Sequence, residues 1–155
     1  MTGVVRFIHL LALGLWIGEV AFFSFVVAPS VFAALGPERA GEVVGAIFPR
    51  YYALGTAAAA TAIVTGILLA RRAATPGWWT AAVLSLAIGL GATLWAGWIV
   101  HPRAQRLRVE LQASGQLPAT NPDFRRAHRT AVILNGAALV AALVGLGCSA
   151  AALRQ

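Results

Sequence analysis

Long apolar stretches with very few charges are the feature that most constrains this chain. Four segments, at about 4–35, 51–70, 79–101 and 124–153, are each apolar and long enough for a helix that crosses a hydrocarbon core of about 30 Å. Of the 155 residues, 59% are hydrophobic and 11% are charged, so too few polar residues are present to cover a soluble core. The sequence predicts one all-α domain over 1–155, an integral membrane four-helix bundle.

Glycine and proline residues divide the first part of the chain. Pro29 lacks a backbone donor and is expected to kink or end the first helix, and Gly36-Pro37 is expected to stop it. Between about 37 and 48 the apolar residues recur at i, i+3, i+4 and i+7, which predicts a short one-faced helix lying in the membrane interface. Pro49 is expected to end this interfacial helix.

A longer polar connection precedes the last predicted span. After Pro102 the third helix is expected to continue as a solvated amphipathic extension that ends near Gly115. Asn121, Pro122 and Asp123 form the pattern of an N-cap, a first-turn proline and a first-turn acid. This pattern predicts a fourth helix of roughly 31 residues, or about 45 Å at about 1.5 Å per residue.

The N-terminal apolar stretch also has a competing interpretation as a cleaved secretory signal peptide. Its apolar length exceeds the usual stretch of about 7–15 residues, and no A-x-A cleavage site precedes the polar loop. We therefore expect this segment to be a mature transmembrane helix.

Basic residues predict the orientation, and every one of the twelve is arginine. Eight lie in the connections between helices one and two and between three and four, and four lie on the opposite side. Because short cytoplasmic loops are enriched in basic residues, both termini are predicted to lie outside an inner membrane. Arginines placed between apolar runs indicate a lipid bilayer as partner, and no nucleic acid. The eight are Arg39, Arg50, Arg103, Arg106, Arg108, Arg125, Arg126 and Arg129; the four are Arg6, Arg71, Arg72 and Arg154.

Glu19 is the most unusual polar residue, because it falls near the predicted bilayer centre, where a carboxylate is costly and normally faces the bundle interior. A proton or ion relay, or a contact to a cofactor, would use such a group. A purely structural hydrogen bond within the bundle is the alternative. The partners for that bond are Thr61, Thr65, Thr93 and Asn135.

Histidines mark two further positions. His9 and Trp16 lie seven residues apart on one helix face, which suits a haem or a metal ion, although a satisfied histidine with a packing tryptophan has the same spacing. His128 and Asn135 likewise share a face of the fourth helix. His101 is predicted at the same interface as His128, so these two side chains are expected to be able to meet, whereas His9 and His128 sit at opposite ends of the bundle.

Four sequence blocks resemble the transmembrane protein 205-like domain family: HLLALGLWIG at 9–18, FFSFVVAPSVF at 22–32, AGEVVGAIFPRYY at 40–52 and FRRAHRTAVILN at 124–135. The resemblance covers nearly the whole chain. It implies a four-helix membrane protein whose biochemistry is undefined.

The spacing His9-x6-Trp16-x-Gly18 is also similar to HemJ-type protoporphyrinogen oxidases and to the copper-resistance D family. The first resemblance implies that His9 binds haem, but the chain has no Lys to match the lysine that this type needs. The second implies copper, although soft Cu(I) ligands are limited to Met1 and Cys148.

Residues for common catalytic chemistries are absent, since the sequence has no Ser–His–acid pattern, P-loop, dinucleotide fingerprint or Cys-x-x-Cys. We therefore expect a membrane protein without hydrolytic activity, more plausibly not an enzyme, whose residues His9, Trp16, Glu19, His128 and Asn135 form an intramembrane site for a cofactor, a metal ion or a proton. Two alternatives are a haem-dependent oxidoreductase using His9 and a structural or assembly subunit of a larger membrane complex. Any transport role would require a homo-oligomer, because one four-helix bundle is too thin for a wide pore.

Overall fold

The computed structural model describes residues 2–154, which form an all-α fold. Two π-helical segments of five residues each join consecutive α-helices, and a short 3-10 turn precedes the last helix. The α-helices are α1 (Thr2–Phe22), α2 (Ala28–Ala70), α3 (Gly77–Trp95), α4 (His101–Ala113) and α5 (Pro122–Ala152); the π-helical segments are Phe23–Val27 and Ala96–Val100, and the 3-10 turn is Pro118–Thr120.

Among residues 2–154, three continuous helical stretches are long and apolar enough to cross a membrane. They are Thr2–Ala70, Gly77–Ala113 and Pro122–Ala152. Length and hydropathy thus agree with the membrane class predicted from the sequence.

The chain doubles back within the first of these stretches, at Gly36. This residue has φ 73° and ψ 169°, a conformation that glycine adopts without the steric cost of a side chain. After the reversal α2 runs alongside α1, so that His9 of α1 meets Ala62 of α2. The predicted break at Gly36-Pro37 is confirmed.

Pro29 distorts its helix without ending it. The Ala28 N–H donates to the Phe23 carbonyl, five residues back, which makes the preceding turn π-helical. Such a wide turn accommodates a proline ring that would clash with the carbonyl four residues before it in a regular α-helix. The same arrangement recurs before Pro102, where the His101 N–H donates five residues back.

The predicted end of a helix at Pro49 is wrong, because α2 passes through this residue without interruption. Phe48 and Tyr51, on either side of Pro49, both pack on Phe23, with ring centroids 5.3 and 4.9 Å away. These contacts hold both sides of the proline in one aromatic cluster. Residues 37–48 are therefore the first turns after the break at Gly36 of a helix that continues to Ala70. Their location in a membrane interface stays a prediction.

The predicted end of α4, near Gly115, and the predicted start of α5, at Asn121, are confirmed. α4 ends at Ala113, and Gly115 follows with φ 71°. The Asn121 side chain caps α5 by accepting hydrogen bonds from the backbone N–H groups of Asp123 at 2.9 Å and Phe124 at 3.2 Å. The acid in the first turn adds a favourable interaction with the helix dipole.

Small residues allow the helices to approach closely in the bundle core. A Cβ added at Gly89 would lie 2.8 Å from Cη2 of Trp16 and 3.0 Å from Cβ of Ala141. A Cβ at Gly145 would lie 2.5 Å from Cδ2 of Leu86. The most extensive helix contacts are accordingly between α3 and α5 and between α1 and α2.

Candidate functional site

A cavity of ≈ 580 Å³ lies between α2, α4, α5 and the first π-helical segment. This volume falls within the range of about 300–1,000 Å³ that is typical of small-molecule sites. Most of the wall is apolar. The polar side chains of the wall are Ser24, Tyr52, His101, Gln105, Arg108, His128 and Asn135.

Two helices supply most of these polar groups because of their spacing. His101, Gln105 and Arg108 follow one another at four and three residues, which places them on one face of α4. His128 and Asn135, seven residues apart, share one face of α5. His101 and His128 thus line the same cavity, as their predicted positions at one interface indicated.

Arg108 lies against Gly41 of α2, and a Cβ at Gly41 would occupy the position of the guanidinium group. Its Nη1 donates to the Glu38 carbonyl oxygen at 3.4 Å. The guanidinium carbon lies 5.2 Å from the centroid of the Phe124 ring. The Arg108 Nε is buried and has no hydrogen-bond partner within residues 2–154.

Glycines on α2 admit the polar side chains of α4. Gly45 lies one turn after Gly41, and a Cβ at Gly45 would occupy the position of the Gln105 amide. Both glycines and both polar side chains line the cavity. Replacing either glycine with a larger residue would therefore fill the space that Arg108 or Gln105 occupies.

Aromatic rings form the wall on the other side of His101. The His101 ring lies 5.2 Å from Phe48 and 6.0 Å from Tyr52, measured between ring centroids. Tyr52 packs against Gly97, where an added Cβ would lie 2.7 Å from Cγ of the tyrosine ring. The Tyr52 hydroxyl faces the Asn135 side chain, yet it makes no hydrogen bond of ordinary geometry with any described residue.

His9 lies outside this cavity and joins three helices. Its Nδ1 is 3.0 Å from the Ala62 carbonyl oxygen and 2.9 Å from Oγ1 of Thr65, both on α2. Its Nε2 is 3.0 Å from Oγ of Ser149 on α5. Because a carbonyl oxygen only accepts, the proton is assigned to Nδ1, which leaves Nε2 as an acceptor. The Ser149 hydroxyl has one proton, which it can donate either to Nε2 or to the Gly145 carbonyl oxygen 2.7 Å away.

These contacts do not fit an axial haem ligand. Both ring nitrogens of His9 are engaged, its side chain is fully buried, and its ring makes an edge contact with Trp79 at a centroid distance of 5.5 Å. Trp16 is fully buried as well and packs against Gly89 and Gly55, so its ring is covered by neighbouring helices. His9 and Trp16 therefore both pack between helices in the interior of the bundle.

Glu19 lies beside Trp16, near Gly55 of α2. A Cβ at Gly55 would be 3.2 Å from Oε2 of Glu19 and 3.6 Å from Nε1 of Trp16. Both carboxyl oxygens, the Trp16 Nε1 and the Tyr51 hydroxyl are buried without a hydrogen-bond partner among residues 2–154. The structural hydrogen bond to a threonine or to Asn135, the alternative considered for Glu19, is therefore not formed.

The five residues proposed from the sequence as one site thus occupy three places. His128 and Asn135 line the cavity, Trp16 lies in the core with the half-buried Glu19 beside it, and His9 lies at the opposite end of the bundle. Within the described chain, no group of three or more His, Cys, Asp or Glu side chains is placed to hold a metal ion.

Arg108 and Gln105 are the site residues that the sequence reasoning missed. Arg108 was one of eight arginines assigned to the basic side, and nothing in its immediate neighbours separates it from the other seven. The available signal was a pair of spacings. Gly41 and Gly45 lie four residues apart, and Gln105 and Arg108, which they meet, lie three residues apart, so that two small residues on one helix match two polar residues on one face of another.

Comparisons with known proteins place the chain in an uncharacterised group. An uncharacterised protein of Aquifex aeolicus (strain VF5) is 46% identical over 43 residues, which are 28% of this chain and 33% of that protein. The similarity therefore spans about a third of the length of that relative. No solved structure matches the chain.

A model of a protein family matches residues 11–113, well over half of the chain, and the match ends before α5. This match carries nothing specific to transmembrane protein 205-like, HemJ-type or copper-resistance D proteins. The chain belongs to the family described as a domain of unknown function, DUF4149.

Proposed function

We propose that this protein crosses an inner membrane four times and binds a small ligand in the cavity lined by His101, His128 and Asn135. The observation that carries the proposal is the cavity itself, an apolar space of ≈ 580 Å³ with a few polar groups on one wall. Binding sites for small molecules combine these two properties.

Four crossings follow if the reversal at Gly36 divides the stretch Thr2–Ala70 into two passes. Leu69, Trp79 and Ala152 pack together at one end of the bundle, so α2 and α5 end where α3 begins. The eight arginines of the two other connections mark the opposite end as cytoplasmic, and both termini are then periplasmic.

Exposed apolar side chains support contact with lipid. Trp98, Phe25 and Ile88 are 73%, 71% and 71% exposed, and they lie on different helical segments. An apolar surface spread around the bundle suits a hydrocarbon solvent, whereas a soluble protein rarely exposes large contiguous apolar patches.

The ligand test uses thermal unfolding of the detergent-purified protein with and without a total membrane lipid extract. A molecule that binds only the folded state raises the unfolding temperature. Ala131 lies on the cavity face of α5 between His128 and Asn135, so Ala131→Phe fills the cavity. Ala137, on the same helix, is exposed and does not line the cavity, so Ala137→Phe is the matched control.

We expect the extract to stabilise the wild-type protein and Ala137→Phe, and to leave Ala131→Phe unchanged. Equal stabilisation of all three proteins would assign the effect to general lipid contact and would overturn the cavity proposal. No stabilisation of any of them would overturn it as well.

A further inference from the structure

We infer that the cavity ligand is an amphiphile from the surrounding bilayer, with an anionic phosphate or carboxylate head bound by Arg108 and a long apolar tail. This inference rests on the proposed ligand-binding function. It adds the chemical class of the ligand, its orientation in the cavity and the residue that selects it.

The head-group site is the guanidinium of Arg108. Nη1 makes a long contact of 3.4 Å to a backbone carbonyl, while the buried Nε has no partner among the described residues. Nε–H and the neighbouring N–H groups form a planar fork that matches the oxygens of a phosphate or carboxylate. A buried donor without a partner is costly, and because Arg108 lines the cavity, a small turn of its side chain would bring Nε to an anionic oxygen there.

Nearby carboxylates do not neutralise this fork directly. Glu38 contacts Arg108 through its backbone carbonyl. Glu42 accepts a hydrogen bond at 3.3 Å from Nε2 of Gln112, on the exposed surface. The negative charges of both carboxylates attract the Arg108 guanidinium, but neither carboxylate forms an ion pair with it in the described chain. Gln105 and His128 extend the polar wall on the cavity side of the guanidinium.

The remaining wall suits an apolar tail and leaves it an exit. Phe25, Phe32 and Val132 line the cavity and yet are 71%, 38% and 57% exposed, so the cavity opens sideways between the first π-helical segment and α5. In the proposed orientation this opening faces the acyl chains of the cytoplasmic leaflet, in which anionic lipids are concentrated. A head group at Arg108 and a tail in the opening would place the ligand parallel to its neighbours in the bilayer.

The test measures binding to the full-length protein in a neutral detergent by native mass spectrometry. The probes are phosphatidic acid and diacylglycerol with identical chains, which differ only in the phosphate, and glycerol phosphate as a head group without a tail. The variants are Arg108→Gln, Arg108→Lys and the control Arg106→Gln, which changes an exposed arginine of the same helix. Arg108→Lys keeps the charge but loses the planar fork of N–H groups, so it tests the same contact if the glutamine variant does not fold.

For the wild-type protein and for Arg106→Gln we expect phosphatidic acid to bind about 10- to 100-fold more tightly than diacylglycerol, the range given by one or two charged hydrogen bonds. Arg108→Gln should abolish this preference, and Arg108→Lys should reduce it. Glycerol phosphate should bind far more weakly than the lipid.

Distinct results overturn distinct claims. Equal binding of the two lipids, abolished by the cavity-filling variant Ala131→Phe, would overturn the anionic head group and leave the cavity function intact. Binding of glycerol phosphate as tight as that of the lipid would overturn the tail. Lipid binding that Ala131→Phe does not affect would overturn the proposed function itself.

Discussion

Replacing His9 with alanine tests whether this histidine is a structural link between three helices. The substitution removes the shared hydrogen bond from Nδ1 to Ala62 and Thr65 and the bond between Nε2 and Ser149. Side-chain hydrogen bonds inside membrane proteins contribute about 0.6 kcal/mol on average and up to about 1.7 kcal/mol. Two of them account for about 1–3 kcal/mol.

Loss of the ring adds a packing cost, because His9 is fully buried and contacts the edge of Trp79. Large-to-small substitutions at buried sites cost about 2–5 kcal/mol, of which alanine recovers about 0.5 kcal/mol through its helix propensity. In the variant the hydroxyls of Thr65 and Ser149 keep partners, since each can donate to a carbonyl of its own helix 2.7 Å away. We therefore expect a net loss of about 3–7 kcal/mol, or a shift of the unfolding equilibrium by more than about 100-fold.

The assay is reversible unfolding of the purified protein by sodium dodecyl sulfate in mixed micelles, followed by tryptophan fluorescence. Ser149→Ala keeps the imidazole and its bonds to α2, removes the hydroxyl that contacts Nε2 and the Gly145 carbonyl, and should cost about 1 kcal/mol. A wild-type Soret band that His9→Ala abolishes, with a change in stability below about 0.5 kcal/mol, would refute the structural role and restore the haem hypothesis.

Three further predictions follow from packing, burial and orientation. Gly89→Ala should destabilise the bundle by about 1–3 kcal/mol, because the new Cβ would meet rigid neighbours, whereas Gly91→Ala, with nothing within 4 Å, should be neutral or slightly stabilising in the same unfolding assay. Glu19→Gln should not destabilise the protein, because no hydrogen bond of the carboxyl is lost; a loss above about 1 kcal/mol would mean that the carboxylate has partners. In a chain whose one cysteine is replaced with alanine, an impermeant thiol reagent added to intact cells should label Ala74→Cys and leave Ser114→Cys unlabelled; the reverse pattern would invert the proposed orientation.

Local chemistry made several features of the fold predictable from the sequence. The break at Gly36 needs only a residue with positive φ before a proline. The start of α5 needs only the side chain of Asn121 and its two nearest backbone donors. The length and hydropathy of the helical stretches likewise depend on composition along the chain. These features do not depend on distant contacts.

The features that could not be predicted from the sequence depend on long-range packing. Helix α2 continues through Pro49 because Phe48 and Tyr51 both pack on Phe23, a residue that lies far away in the sequence. His9 has the spacing of a haem ligand, but its role depends on Ser149, which lies 140 residues away. Arg108 has the appearance of a solvated arginine until its contact with Gly41 is known.

The most direct test of the cavity proposal is the native mass spectrum of the protein purified in a mild detergent without added lipid, recorded together with its absorbance and metal content. We predict one bound small molecule per chain in the wild-type protein and in Ala137→Phe, lost in Ala131→Phe, with no Soret band and no stoichiometric metal. The same bound mass in all three proteins, or the bare polypeptide in all three, would contradict the proposal that the cavity lined by His101, His128 and Asn135 is a ligand-binding site.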